Sequence, residues 1–360
     1  MWDLIKGFVK AHEDDLHGIS LNLRFSPALA SKQKTRQAGT RFAENTLVYA
    51  SRVKYAICLE KPIYALKKKI MDLNCGIEEL STEVRLKAAV ELNETISNRD
   101  ACIAQLRGLI EHSGITGCLA DGFLLRFLRA RKFNIHQALA SYIAYYETRS
   151  LYSEVFLNLR PKYVLHVFRD CVVARLTTFL PNGCPVIYFQ PGLWGPKMWP
   201  ITDIFRANVV LVEELLLRWP ETQVHGVVIL IDLTGFSWRQ AIHMMRPSFL
   251  RQAARFLQAS TPVRVKSVHI YNEPSTFSTV YGALRPLLKP KMVNRIKMHG
   301  SSLESLHSSI PPTHLPSGSQ LEGSGPPLPN TDYLASIMEL DDMFKRLQHF
   351  PILRRLSSCI

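Results

Sequence analysis

The sequence has no long apolar run. None of its 360 residues belongs to a stretch of the ~18–20 that a membrane-spanning helix needs. Its richest segments, 209–217 and 227–233, are interrupted by Glu213, Glu214 and Asp232. The opening, Met1-Trp2-Asp3-Leu4-Ile5-Lys6, has no signal-peptide apolar region, and Trp2 excludes N-myristoylation. Cysteines number 7, an odd count, spread over positions 58 to 359 without a Cys-x-x-Cys pair. A disulfide framework or a thiolate zinc site is therefore not expected, and reduced thiols suit a cytosolic protein.

Catalytic signatures are missing as well. There is no Gly-x-Gly-x-x-Gly after a strand, no phosphate-binding Gly-x4-Gly-Lys-Ser/Thr, no His-Glu-x-x-His and no Gly-x-Ser-x-Gly. The 12 histidines lack ligand spacing, so no metal and no cofactor is expected. One carboxylate, Asp232, closes an apolar strand where an α/β enzyme would place a base. A lone Asp there more often caps a loop.

What is present is a core and a charge. Apolar residues make up 47% and charged ones 21%, which excludes wholesale disorder. Lys and Arg number 44 against 30 Asp and Glu, a formal net charge of +14. The excess is concentrated, because residues 261–300 hold 7 basic groups and 1 acidic group.

The chain divides into four parts. Residues 1–80 form an extension of uncertain order, with a short helix over 2–11 and a mixed apolar and basic stretch over 49–71. Residues 81–150 read as a helical bundle: Val84, Ala88, Leu92 and Ile96 keep an i, i+4 stripe, and Asp121–Ala130 and 135–149 are amphipathic. Residues 155–316 alternate strands with helices, which predicts an α/β domain with a mixed or parallel sheet. The strands are expected at 172–179, 186–189, 227–231, 265–271 and 295–299, the first two joined by Pro181-Asn182-Gly183. The helices are expected at 203–219, 247–258 and 275–288. Residues 317–360 are expected to be a Pro/Gly/Ser-rich linker, beginning near 311, and a last helix over 331–348.

The basic cluster sits beside an apolar helix. Arg264 and Lys266 are two apart in a strand and leave one face. Lys289, Lys291, Arg295 and Lys297 follow the 275–288 helix, which bears Phe277, Val280, Tyr281, Leu284, Leu287 and Leu288. Nucleic-acid binding would show basic residues interleaved with exposed aromatics. A basic rim beside an apolar helix suits an anionic membrane surface instead, at ~1 kcal/mol per cation. No nucleic-acid partner is expected.

The run Asp121-Gly122-Phe123-Leu124-Leu125-Arg126-Phe127-Leu128-Arg129-Ala130-Arg131-Lys132-Phe133 resembles the N-terminal signature of the CRAL-TRIO family. Matches follow in family order: Glu221-Thr222-Gln223-Val224-His225-Gly226, Asp232-Leu233-Thr234-Gly235, Asn272-Glu273-Pro274, Arg285-Pro286-Leu287-Leu288-Lys289 and His299-Gly300-Ser301. They are similar to the branch of the α-tocopherol transfer and retinaldehyde-binding proteins and the clavesins. The resemblance covers about 82–316. Past Pro316 the family's closing motif gives way to Ser317-Gly318-Ser319-Gln320.

The resemblance implies a helical bundle packed on an α/β domain that encloses an apolar cavity. It implies one hydrophobic ligand (a lipid, retinoid or tocopherol-like molecule) carried between membranes by a cytoplasmic, monomeric, non-enzymatic protein that visits endosomal or other internal membranes. The helix after Asn272-Glu273-Pro274 would be the lid, and Arg131, Arg264, Lys266, Lys291 and Arg295 would bind phosphoinositide headgroups. Candidate cavity residues are Val186, Tyr188, Phe189, Leu215, Ile229, Ile231, Phe249, Phe256 and Ile270, joined by Phe277 and Tyr281 of the lid. The alternatives are a regulatory phosphoinositide-binding adaptor without transfer activity, or an enzyme on a lipid-like substrate using Asp232.

Overall fold

A computed structural model describes residues 80–115 and 117–347. The expectations for the first 79 residues, and for the end of the last helix, lie outside the described residues.

The N-terminal layer consists of four helices, α1 (Thr82–Leu92), α2 (Ile96–His112), α3 (Asp121–Ala130) and α4 (Ile135–Leu151). Ser81 caps α1 by accepting from the Val84 amide, and Thr95 with Asn98 forms a reciprocal capping box on α2. The apolar stripe points inward, so Ala88, Leu92, Leu106, Ile110, Leu124 and Phe127 are almost wholly buried. Buried α3 carries two arginines that join this layer to the next. Arg129 donates to both carboxylate oxygens of Glu94 at 2.8 Å and to Gln223 Oε1 at 2.9 Å. Arg126 reaches Glu213 at 3.0 Å. Buried charges need such partners, which gives the Arg-Phe-Leu-Arg run a packing role.

The second layer is a five-stranded mixed sheet in spatial order β1 (Val173–Arg175), β2 (Val186–Phe189), β3 (Val227–Asp232), β4 (Val265–Tyr271), β5 (Ile296–Met298). β1 and β2 form an antiparallel hairpin, and the other three pairings are parallel. Only three residues of the expected 172–179 strand pair. The register shifts between Val227 and Val228, whose partners are Val265 and Ser267, so Lys266 is an extra residue in β4.

One face of the sheet is covered by α6 (Thr202–Arg218), α7 (Trp238–Met244), α8 (Pro247–Gln258) and α9 (Ser275–Leu284), with α5 (Pro161–Arg169) packed on α6. The 275–288 helix ends early and tightens into a 3-10 turn at Arg285–Leu287, where Pro286 offers no amide to continue it. The opposite face is covered by Leu306 and Ile310 together with the supposed linker. Leu306, Ile310, Leu315 and Leu321 are fully buried in one cluster with Val186, Tyr188 and Leu230, and the Ser317 amide donates to Gly325 O at 3.1 Å and the Gly325 amide to Leu315 O at 2.8 Å. The expected last helix is two, α10 (Thr331–Met338) and α11 (Asp341–Leu347). Tyr333, Ile337, Leu340 and Phe344 enter the main core, and the Tyr333 hydroxyl donates to buried Glu214 at 3.1 Å. Residues 311–344 are part of the domain and not a linker with an appended helix.

Candidate functional site

Between the sheet and its helices lies a cavity of about 180 Å³. One water needs roughly 10–15 Å³. β2 contributes Ile187 and Phe189, β3 Val227, Ile229 and Ile231, and β4 Val265, Val268 and Ile270. α6 adds Phe205, Asn208 and Val212, and α8 adds Phe249 and Phe256. The polar side chains on the wall are Asn208, Thr261 and Tyr281. Asn208 donates to Ile204 O at 2.8 Å and Thr261 to Phe256 O at 2.8 Å. A wall of this kind repels water and admits an apolar guest.

Six of the nine expected sheet and helix positions line the cavity: Phe189, Ile229, Ile231, Phe249, Phe256 and Ile270. Val186 and Tyr188 do not. Strand side chains alternate, so they leave the far face of β2 and pack with Leu230 and Ile310. Leu215 is buried one turn past Val212, within the core and off the cavity wall. Applying the alternation of β2 strictly would have chosen Ile187 instead.

α9 closes the cavity. Phe277, Val280, Tyr281, Leu284 and Leu288 line it, whereas Leu287 is 40% exposed on the outside. The base of this segment is fixed by the Asn272-Glu273-Pro274 run. The Asn272 amide donates to Gly300 O at 2.7 Å, its side chain donates to Thr234 Oγ1 at 3.1 Å, and Glu273 accepts from the Gly300 amide at 3.1 Å. Its far end is held by Gln258, which donates to Leu287 O and accepts from the Lys289 amide, both at 2.8 Å. Next to α9, Trp238 and Ile242 stand one turn apart on α7, 50% and 58% exposed. The i, i+4 spacing of these two apolar residues after Ser237 was the sequence signal for that patch, and the sequence reading missed it.

Asp232 faces away from the cavity. It accepts from the Tyr188 hydroxyl at 2.8 Å, the Thr234 amide at 2.9 Å and the Thr234 hydroxyl at 2.6 Å. It caps the turn after β3. Among the described residues no group of three His, Cys, Asp or Glu side chains is placed to hold a metal, and no helix is long and apolar enough to cross a membrane.

A second concavity, about 520 Å³, adjoins the first. Arg131, Arg264, Lys266, Lys291 and Arg295 all line it, joined by Lys289 of the basic cluster and by Lys132, which sequence reasoning did not select. Gly226 permits the close approach of Arg264: at φ +85° its missing Cβ would lie 2.4 Å from Arg264 O. Arg131 also donates to Ser141 Oγ at 3.0 Å and Ala259 O at 3.2 Å, and burial lowers its pKa. It thus ties α4 to the end of α8 while facing the groove. Burial, together with neighbouring Arg264, lowers the Arg295 pKa. Leu257, Thr261, Val263, Val265 and Met292 line both spaces, so the wall between groove and cavity is one side chain thick.

The sequence matches the CRAL/TRIO N-terminal domain over residues 97–143 and the CRAL/TRIO domain over residues 169–321. It is 36% identical over 267 residues to the Homo sapiens protein named alpha-tocopherol transfer protein-like, covering 74% of this chain and 77% of that one. Identity to the Mus musculus protein of that name is 39% over 239 residues, covering 66% and 69%. Clavesin-2 of Homo sapiens is 34% identical over 242 residues, covering 66% of this chain and 73% of its own. With a helical layer, a mixed sheet and the motifs of the resemblance in their family order, the chain belongs to the CRAL-TRIO family.

Proposed function

We propose that this chain holds one hydrophobic small molecule beneath α9 and carries it between membranes, docking through the basic groove on phosphoinositide headgroups. The observation that carries this reading is a lidded apolar cavity sharing a wall with a groove lined by seven cations. Each ligand methylene hidden from water contributes ~0.8 kcal/mol, so a long apolar molecule needs enclosure in transit. α9 has an apolar inner face, and a bilayer surface offers that face an equivalent environment when it lifts. Trp238, Ile242 and Leu287 lie on the outside of the same region, with Arg239, Arg246 and Arg285 exposed around them. We place its action in the cytoplasm, reversibly on internal membranes, as a monomer without catalysis. Relatives named for tocopherol transfer support the ligand class.

The test is native mass spectrometry of the purified protein, followed by transfer of the identified lipid between vesicles. A protein that carries no lipid and moves no hydrophobic ligand overturns the reading. The Lys291→Glu, Arg295→Glu double variant separates docking from cargo. It should keep the cargo and bind phosphoinositide vesicles at least tenfold more weakly, since two reversed charges near an anionic surface forfeit roughly 2 kcal/mol or more. Unchanged vesicle binding rejects the groove as the docking site.

A further inference from the structure

One carboxylate stands among the seven cations of the groove. Glu91 sits near the end of α1, in the helical layer, and a single oxygen, Oε2, accepts from Arg264 Nη2 at 3.2 Å and from Lys266 Nζ at 3.0 Å. Burial pushes this carboxyl up, but the hydrogen bonds and charges of Lys266 and Arg264 outweigh it and leave its pKa below the ordinary value. Glu91 is therefore an anion at neutral pH.

Among the described residues no carboxylate lies within ion-pair distance of Lys132, Lys289, Lys291 or Arg295. The Nε of Arg264 is buried without a hydrogen-bond partner, although its Nη2 is engaged by Glu91 and by Val224 O. Among the described residues the groove is thus divided into an outer part, whose cations have no carboxylate partner, and an inner part, Arg264 and Lys266, whose cations already hold one.

We propose that Glu91 is a built-in competitor for the inner part of the groove, which a headgroup must displace to reach Arg264 and Lys266, and that it holds down the affinity for headgroups whose second phosphate extends that far. This rests on the docking reading above. A headgroup with one phosphate is satisfied by Lys291, Arg295 and their outer neighbours and leaves Glu91 in place. A headgroup with a second phosphate brings enough charge to replace the carboxylate on Arg264 and Lys266. Displacement has a mechanical side, because Glu91 belongs to α1 and its two partners belong to β4 and the residue before it. Binding of the second phosphate removes one tie between the helical layer and the sheet.

The experiment measures binding of the full chain to phosphatidylcholine vesicles doped with either phosphatidylserine or phosphatidylinositol bisphosphate. Glu91→Gln keeps the shape and removes the competing charge. It should bind phosphatidylserine vesicles about fivefold more tightly, the effect of roughly one charge near such a surface. Bisphosphate vesicles should gain more than that, at least about tenfold, because the native protein must also give up the Glu91 contacts to admit the second phosphate and the variant need not. The ratio of the two affinities therefore rises in favour of the bisphosphate. An unchanged ratio, or weaker binding to both vesicle types, overturns the proposal.

A second measurement uses the unmodified protein. Amide hydrogen exchange at the end of α1, around Leu92 and Glu94, should accelerate on bisphosphate vesicles and stay constant on phosphatidylserine vesicles. Equal exchange on both also overturns it. Failure of the docking reading looks different: the Lys291→Glu, Arg295→Glu protein would then bind all vesicles as the native protein does.

Discussion

Asp232 shows how a residue's surroundings decide between two chemistries open to it. Its oxygens accept from Tyr188 and Thr234 on the face of the sheet that the cavity does not touch. Asp232→Asn places an amide against the Tyr188 hydroxyl and the Thr234 donors, so it should cost about 1–3 kcal/mol of stability and leave cargo binding intact. Chemical denaturation and lipid transfer, measured on one preparation, check both halves. Transfer lost at unchanged stability would return Asp232 to a direct role. The Asp was visible in the sequence; its orientation depends on strand parity and on Tyr188, forty-four residues earlier.

His269 and His299 lie on that far face too, stacked at 5.2 Å with Nδ1 of one 2.9 Å from Nε2 of the other. Their outer nitrogens meet Ser267 and Ser305. Burial, then His299, then Lys297 depress the His269 pKa from 6.5 to about 4, and burial also depresses His299. A lowered histidine pKa stabilises the fold in full above pH 6.5 and loses that contribution as pH falls through about 4. Thermal unfolding of the native protein should therefore drop more steeply between pH 7 and 4 than that of His269→Asn. Parallel curves would show that the pair does not titrate on unfolding.

At the scale of elements, the helix and strand limits were most legible where a breaker stands beside them. Pro247 opens α8, and the 265–271 strand runs from the Pro262 turn to Asn272, a residue at φ 55°. The lid was harder to read because apolar residues continue past its end, and only Pro286 marks where regular hydrogen bonding stops. Gln258 was not legible at all: nothing in its neighbourhood announces that both ends of its amide hold the chain at 287–289. Gln258→Leu keeps the bulk and removes both bonds, each worth ~1 kcal/mol. The lid should open more readily, and cargo should leave the protein roughly ten times faster. Stopped-flow release into acceptor vesicles measures this, and an unchanged rate would mean that Gln258 does not restrain the lid.

On the scale of the whole molecule, composition misled about residues 311–344. Proline, glycine and serine report the absence of regular backbone pairing, and burial is a separate property. Leu315 and Leu321 are 0% exposed within that stretch, and Ile337 is fully buried in the main core. Ile337→Ala should cost roughly 2–5 kcal/mol, and a chain ending at Pro316 should unfold far below the intact protein or fail to stay soluble. A shortened chain with native unfolding behaviour would contradict the packing described above. The charge was legible as a cluster along the sequence and the resemblance added Arg131 to it, yet its completion by Lys132 and Glu91 was not legible. Glu91 lies 173 and 175 residues from its partners, and no local pattern encodes such a pairing.

The extra residue in β4 reaches further than its size suggests. With strict alternation, Val265 and Val268 would point to opposite sides of the sheet; the shift at Lys266 lets both face the cavity. One strand can then furnish a dry wall over its whole length and still present Arg264 and Lys266 to the basic groove at its beginning. Removing a single residue there would turn one part of the strand over relative to the other, and cargo and membrane address would be lost together. The two halves of the proposed trade, an oil-like interior and an anion-seeking rim, are thus locked into one reading frame.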